Sequence, residues 1–76
     1  MIDALAARAG TRPLTAAEVE SVLALAAVAA HGTGDRTTAP LASFLAGIAA
    51  ASAEDRVTLL DALRRHVAEL TAAPGA

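Results

Sequence analysis

The residues of this chain that could do chemistry are crowded into one short polar corner. His31, Asp35 and Arg36 follow one another closely between two apolar stretches, together with Gly32 and Gly34. A carboxylate beside an imidazole can fix its tautomer and orient it as a base. An arginine close to the start of a helix can hold an anion. The residue types in this corner are therefore compatible with a general base, a phosphate-binding site or a contact with a partner protein.

Simpler roles compete with each of these. A histidine in the last turn of a helix can interact with the terminal carbonyls and the helix dipole, and Arg36 can pair with Asp35 or with a carbonyl. The chain has no Lys, Tyr, Trp or Cys, which removes Schiff-base, phenol and thiolate chemistry. We expect no catalytic residue, while a partner or ligand contact by His31, Asp35 and Arg36 stays open.

Metal binding has little support in the sequence. His31 and His66 are far apart, so only folding could bring them together, and there is no cysteine to supply a thiolate ligand. The glycines of the corner form neither a P-loop nor a dinucleotide fingerprint. We expect no metal and no cofactor.

The composition indicates a single small domain that associates with another protein chain. The 76 residues are 55 % hydrophobic and 18 % charged, with a net charge of −2. A chain this short is near the lower limit for folding without disulfides or metal ions. Its apolar excess predicts a surface that is covered by a partner or by a copy of itself, and we favour self-association. The six arginines are scattered among acidic residues, which is not the basic face that nucleic acid requires.

No targeting or membrane segment is visible in the pattern. The first residues lack a basic region followed by a continuous apolar run. The longest apolar runs, 22–30 and, interrupted by Ser43, 41–51, fall well short of the roughly 20 residues that span a bilayer. These observations predict a cytoplasmic protein with no membrane partner.

Four helical segments position the corner. The first, from Ile2, is closed by Gly10. The second opens with a capping box formed by Thr15 and Glu18 and ends at Gly32. Its predicted apolar stripe consists of Val19, Val22, Leu23, Ala26 and Ala30, and it is widened by Leu25 and Val28.

The third helix follows the corner, with Thr38 as its cap and Pro40 in its first turn. Its apolar stripe is Leu41, Phe44, Leu45 and Ile48. A row of small residues, Ser43, Gly47 and Ala51, would let another helix pack closely.

The fourth helix is predicted to begin at Ser52, with Glu54 and Asp55 in its first turn. Asp61 precedes Arg65 in the order that favours an exposed ion pair. Its apolar face comprises Val57, Leu60, Leu63, Val67 and Leu70.

These segments predict an all-α fold, a small antiparallel bundle of three long helices and a short N-terminal helix. The predicted single helical domain covers residues 1–72, and residues 73–76 are expected to be a flexible tail. We expect the apolar faces of the second and third helices to mediate self-association.

The corner also resembles a known family. Ala-His-Gly at 30–32, Arg36, Ala-Pro-Leu at 39–41 and Phe-Leu-x-Gly at 44–47 resemble a family of small helical bacterial domains of unknown function, numbered 6457. In that pattern Gly32, Pro40, Leu41, Phe44, Leu45 and Gly47 are structural. The chain departs from it at Ala27 and Val28, where the family often has a charged pair before its histidine, and at Thr37, where proline is usual.

The resemblance implies no catalytic activity. It does imply an association with molybdopterin-guanine dinucleotide biosynthesis enzymes, beside which such domains are found. The functional hypothesis is a non-enzymatic accessory or interaction module, linked to molybdenum-cofactor assembly or to a molybdoenzyme, with itself and a larger protein as partners. The alternatives are a small-ligand or nucleotide-binding domain that uses Arg36, and a purely structural homo-oligomer.

Overall fold

The computed structural model describes residues 1–72, which form four helices and no strand. They are α1 (Ile2–Ala9), α2 (Ala16–Thr33), α3 (Thr38–Ala50) and α4 (Arg56–Thr71). The all-α prediction is confirmed. The predicted tail, 73–76, lies outside the described residues.

Two of the predicted helix boundaries are confirmed by local hydrogen bonds and backbone angles. Gly10 closes α1 in the left-handed conformation, with φ of 77°, which an L side chain rarely adopts. At the start of α2, the Glu18 amide donates to Thr15 Oγ1 over 3.1 Å. The Thr15 amide donates in return to Glu18 Oε1 over 2.9 Å, completing the capping box.

Three other predicted boundaries are wrong. Helix α2 passes through Gly32 and ends at Thr33, because Gly34, with φ of 71°, is the residue that adopts the left-handed cap. The N-cap of α3 is Thr37 instead of Thr38. Helix α4 is capped by Asp55 instead of Ser52, because the Asp55 carboxylate accepts the Thr58 amide over 3.0 Å and its hydroxyl over 2.8 Å.

Helix α2 is central and packs against both α3 and α4. Leu25 is the one large side chain among the described residues that is fully buried, at 1 % exposure. The core around it consists of Ala46, Ala50 and Leu60, with Val22, Ala42, Leu59 and Leu63 packed against them. Because α3 contributes alanines to this core, its backbone can approach α2 closely.

The rotation of α2 differs from the prediction. Val19 and Leu23 are exposed. The buried residues of α2 are Glu18, Ser21, Leu25 and Ala29, of which only Leu25 belongs to the predicted stripe. The Ser21 hydroxyl donates to the Asp61 carboxylate on α4 over 3.1 Å, so Asp61 pairs with Ser21 and not with Arg65 as predicted. A helix that is apolar around most of its circumference has no strong preference for one face, and such polar contacts help to select one.

Helix α1 stands apart from this bundle. Within residues 1–72 it packs against none of the other three helices, and the molecule is accordingly elongated, 45 × 24 × 18 Å. In the same range, no helix combines the length and the apolarity that a bilayer crossing requires.

Candidate functional site

The polar corner lies exposed at the end of the bundle where α2 joins α3. His31 is in the last turn of α2, as predicted, at the negative end of the helix dipole. Asp35 and Arg36 follow in the connecting loop, and all three residues are exposed. Within the described part of the chain, no hydrogen bond or ion pair joins any two of them.

The Asp35 carboxylate shapes the turn. Its Oδ1 accepts the Thr37 hydroxyl over 2.7 Å and the Thr37 amide over 2.9 Å. These two hydrogen bonds hold the pKa of Asp35 below its ordinary value. The Thr33 hydroxyl, which donates to the Ala29 carbonyl over 2.7 Å, accepts the Asp35 amide over 3.1 Å. Asp35 is therefore engaged in starting α3 and not in orienting His31.

Gly32 serves the crossing of α2 with α4. A Cβ built on Gly32 would lie 2.6 Å from Thr71 Cβ and 2.9 Å from Thr71 Cγ2. Those separations are far inside van der Waals contact, so only glycine lets the last turn of α4 pass here. The sequence has no signal for this role, because Thr71 is distant along the chain.

The link between α1 and α2 is tied to α2 by an ion pair between a buried carboxylate, Glu18, and a half-exposed guanidinium, Arg12. The Arg12 guanidinium donates to both Glu18 oxygens, over 2.9 and 2.5 Å, and to the Pro13 carbonyl over 3.0 Å. Glu18 is 4 % exposed. The hydrogen bonds from Arg12 and from the Thr15 amide lower the Glu18 pKa to about 2. Sequence reasoning found the capping role of Glu18 but missed Arg12, whose proximity depends on how the chain turns at Pro13.

A half-open cleft of about 540 Å³ adjoins this ion pair. Its lining includes the apolar side chains of Leu14, Val22 and Leu60 and the arginines Arg12 and Arg56. Its carboxylate, Glu18, is already bound to Arg12. Among residues 1–72, no three histidine or acidic side chains are grouped closely enough to hold a metal ion.

The outward side of α3 exposes a group of large apolar side chains. Its large apolar side chains, Leu41, Phe44, Leu45 and Ile48, are 58–70 % exposed; we call these four residues the outer face of α3. The alanines of the same helix face α2 and α4 instead, and α3 contains no charged residue. At side-chain areas of roughly 200 Å² each, the outer face exposes roughly 500 Å², within the size range of functional patches.

Gly47 borders the outer face and is open. No atom of a neighbouring helix among the described residues lies within 4 Å of a Cβ built there, so the close packing predicted for the small-residue row is not present at Gly47 within this chain. Pro40 lies in the first turn of α3, as predicted. Gly47 instead lines the half-open cleft together with Val22 and Leu60, while the outer face lies on the side of α3 away from the core.

The family described as Domain of unknown function (DUF6457) matches residues 1–76. No curated protein and no solved structure matches the chain.

Proposed function

Because this chain belongs to the family described as Domain of unknown function 6457 over residues 1–76, for which no activity is assigned, we propose a function from its surface. The protein is a non-enzymatic interaction module of the cytoplasm. It assembles through the outer face of α3, and it offers the corner of His31, Asp35 and Arg36 to a larger protein.

One observation supports this proposal above the others. Helix α3 packs against its own chain through alanines, while Phe44 and Leu45 are 70 % and 66 % exposed. Exposing large apolar side chains in a continuous group is unfavourable in water, at about 25 cal/mol per Å². Apolar patches of this kind in small domains mark protein contacts.

The larger partner is proposed to be an enzyme of molybdenum-cofactor assembly, of the type that makes molybdopterin-guanine dinucleotide. This part rests on the sequence resemblance, and the exposed position of Arg36 at one end of the bundle is compatible with it. A non-enzymatic role is supported by Asp35, whose carboxylate is engaged with Thr37. No feature of the corner favours a nucleotide site over a protein contact.

Two glutamate substitutions test the assembly surface. Leu45 and the control residue Leu23 are exposed to nearly the same extent, 66 % and 64 %, and both lie on helices. Light scattering at micromolar concentration should give the wild type a mass above the 7.5 kDa of one chain. Leu45→Glu should reduce that mass towards 7.5 kDa with its helix content retained, and Leu23→Glu should not. A folded wild type that stays monomeric would refute the assembly proposal.

Capture of the cofactor-assembly enzyme tests the second contact. Arg36→Ala should weaken binding to immobilised molybdopterin-guanine dinucleotide biosynthesis enzyme without changing the mass by light scattering. The matched control is Arg65→Ala, which replaces an exposed arginine of α4 that is not part of the corner. Equal capture by all three proteins would contradict a role for the corner.

A further inference from the structure

The molecule has a second apolar surface without a partner, on α1. Met1, Ile2 and Leu5 are 90 %, 49 % and 58 % exposed. Helix α1 packs against no other helix of its chain. Among the described residues, separate apolar surfaces are therefore exposed on α1 and on α3.

Helix α1 is held away from the bundle by an ordered turn. The Thr11 amide donates to the Ala6 carbonyl over 2.9 Å, and the Gly10 amide to the Ala7 carbonyl over 3.2 Å. The ion pair of Arg12 with Glu18 then anchors the turn to α2. An eight-residue helix is too short to persist in water without packing, because isolated helices below about 12–15 residues are marginal. A fixed direction and an uncovered face indicate that α1 packs on another molecule.

We infer that α1 of one copy packs across the outer face of α3 in a second copy, and that the contact is reciprocal. The product is a two-fold dimer with exchanged N-terminal helices. This inference rests on the proposed function, since it names the segment that covers the outer face of α3. Helix α1 of each copy contacts α3 of the other, and such reciprocal contacts define an isologous interface.

The two surfaces agree in length. From Leu41 to Ile48 the outer face rises about 10 Å at 1.5 Å per residue. From Ile2 to Ala9, the apolar side of α1 also rises about 10 Å. On α1, Ile2, Leu5 and Ala9 follow at helical spacing, so they lie on one side of the helix.

Their charges are compatible as well. The described charged residues of α1 are Asp3 and Arg8, both exposed. Because α3 carries no charge, neither residue would meet a like charge across the contact. A strongly charged partner would find no opposite charge on α3 with which to form an ion pair.

Buried area favours the exchanged arrangement over direct pairing of two α3 helices. The outer face of α3 exposes roughly 500 Å² and the α1 side chains roughly 350 Å², so that each copy could contribute roughly 850 Å². A standard interface buries about 800 Å² per partner. Two α3 faces alone would fall short of that area, and they would leave α1 uncovered.

Cross-linking through introduced cysteines tests this arrangement, because the sequence has no cysteine of its own. Leu5→Cys and Leu45→Cys variants are mixed and treated with a short bifunctional maleimide. The expected product is a heterodimer that joins position 5 of one copy to position 45 of the other. Leu23→Cys replaces Leu45→Cys in the matched control, which should give at least five-fold less product.

The remaining outcomes separate the inference from the proposed function. Strong linking of Leu45→Cys to itself, without the mixed product, would show direct pairing of α3 helices; the exchange would then be wrong and the assembly surface would stand. A cross-link within one chain of the double variant at high dilution would also overturn the exchange. A monomeric wild type would overturn both. As a second measurement, Leu5→Glu should raise the dimer dissociation constant at least ten-fold and Leu23→Glu should not.

Discussion

Replacing Leu25 by alanine should destabilise this protein far more than replacing Phe44, although Phe44 is the larger side chain. Leu25 is 1 % exposed and is surrounded by core residues. Removing a buried leucine leaves a cavity and costs about 3 kcal/mol or more. A domain of this length has a free energy of unfolding of about 4–11 kcal/mol, so Leu25→Ala should remove a large part of it.

Phe44 behaves differently because it points out of its own chain. At 70 % exposure, it has roughly 60 Å² covered, worth about 1.5 kcal/mol at most at 25 cal/mol per Å². Alanine retains part of that coverage and is the better helix former by about 0.5 kcal/mol. In the monomer, Phe44→Ala should therefore lower the free energy of unfolding by less than about 1 kcal/mol.

Urea denaturation at two protein concentrations separates the two effects. In dilute solution only Leu25→Ala should lower the unfolding midpoint strongly. At concentrations where the wild type is dimeric, association adds to its stability by mass action. The unfolding midpoint of Phe44→Ala should then fall further below that of the wild type, because the variant associates less. A deficit in dilute solution as large as that of Leu25→Ala would mean that Phe44 lies in the core, and the outward orientation of α3 would be refuted.

Three further perturbations concern α2 and its ends. Thr15→Ala should lower the free energy of unfolding by about 1 kcal/mol through loss of the cap; an unchanged urea midpoint would contradict this. Because the folded pKa of Glu18 is about 2, below its ordinary 4.5, its stabilisation is complete above pH 4.5 and is lost as the pH falls towards 2. The wild-type midpoint should fall across that window more steeply than that of Glu18→Gln, and parallel curves would refute this. Gly32→Ala should lower the free energy of unfolding by about 1 kcal/mol, after allowing for the higher helix propensity of alanine. In thermal melts, adding Thr71→Gly should recover the lost stability. An unchanged stability of Gly32→Ala would contradict the close crossing of α2 and α4 at this residue.

The candidate site was only partly predictable. The spacing of Leu41, Phe44, Leu45 and Ile48 predicts one stripe on the third helix, and these residues do lie together. Their outward orientation was not predictable from that stripe, because the opposite side of α3 is apolar too, being made of alanines. Close approach to α2 favours the small residues inside, and the large ones are left outside.

The ion pair of Arg12 with Glu18 is a second feature that local spacing could not predict. The spacing of Thr15 and Glu18 predicted two reciprocal hydrogen bonds, both of which form. That spacing has no bearing on Arg12, which reaches Glu18 only because of the course of the chain after Gly10. The pair joins the link that follows α1 to the first turn of α2, and this contact between the link and the helix depends on the path of the chain.

By itself the sequence determined the all-α class, the number of helices and those ends that depend on local chemistry, such as the cap at Gly10 and the capping box at Thr15. These features arise from hydrogen bonds between residues at most a few positions apart, so the local pattern contains the information. Only the tertiary structure decided which side of α2 and α3 is buried, that Gly32 is needed beneath Thr71, and that α1 is left without a neighbour. In a chain so rich in alanine, several faces of a helix are nearly equal in hydrophobicity. Steric fit between distant segments then chooses among them.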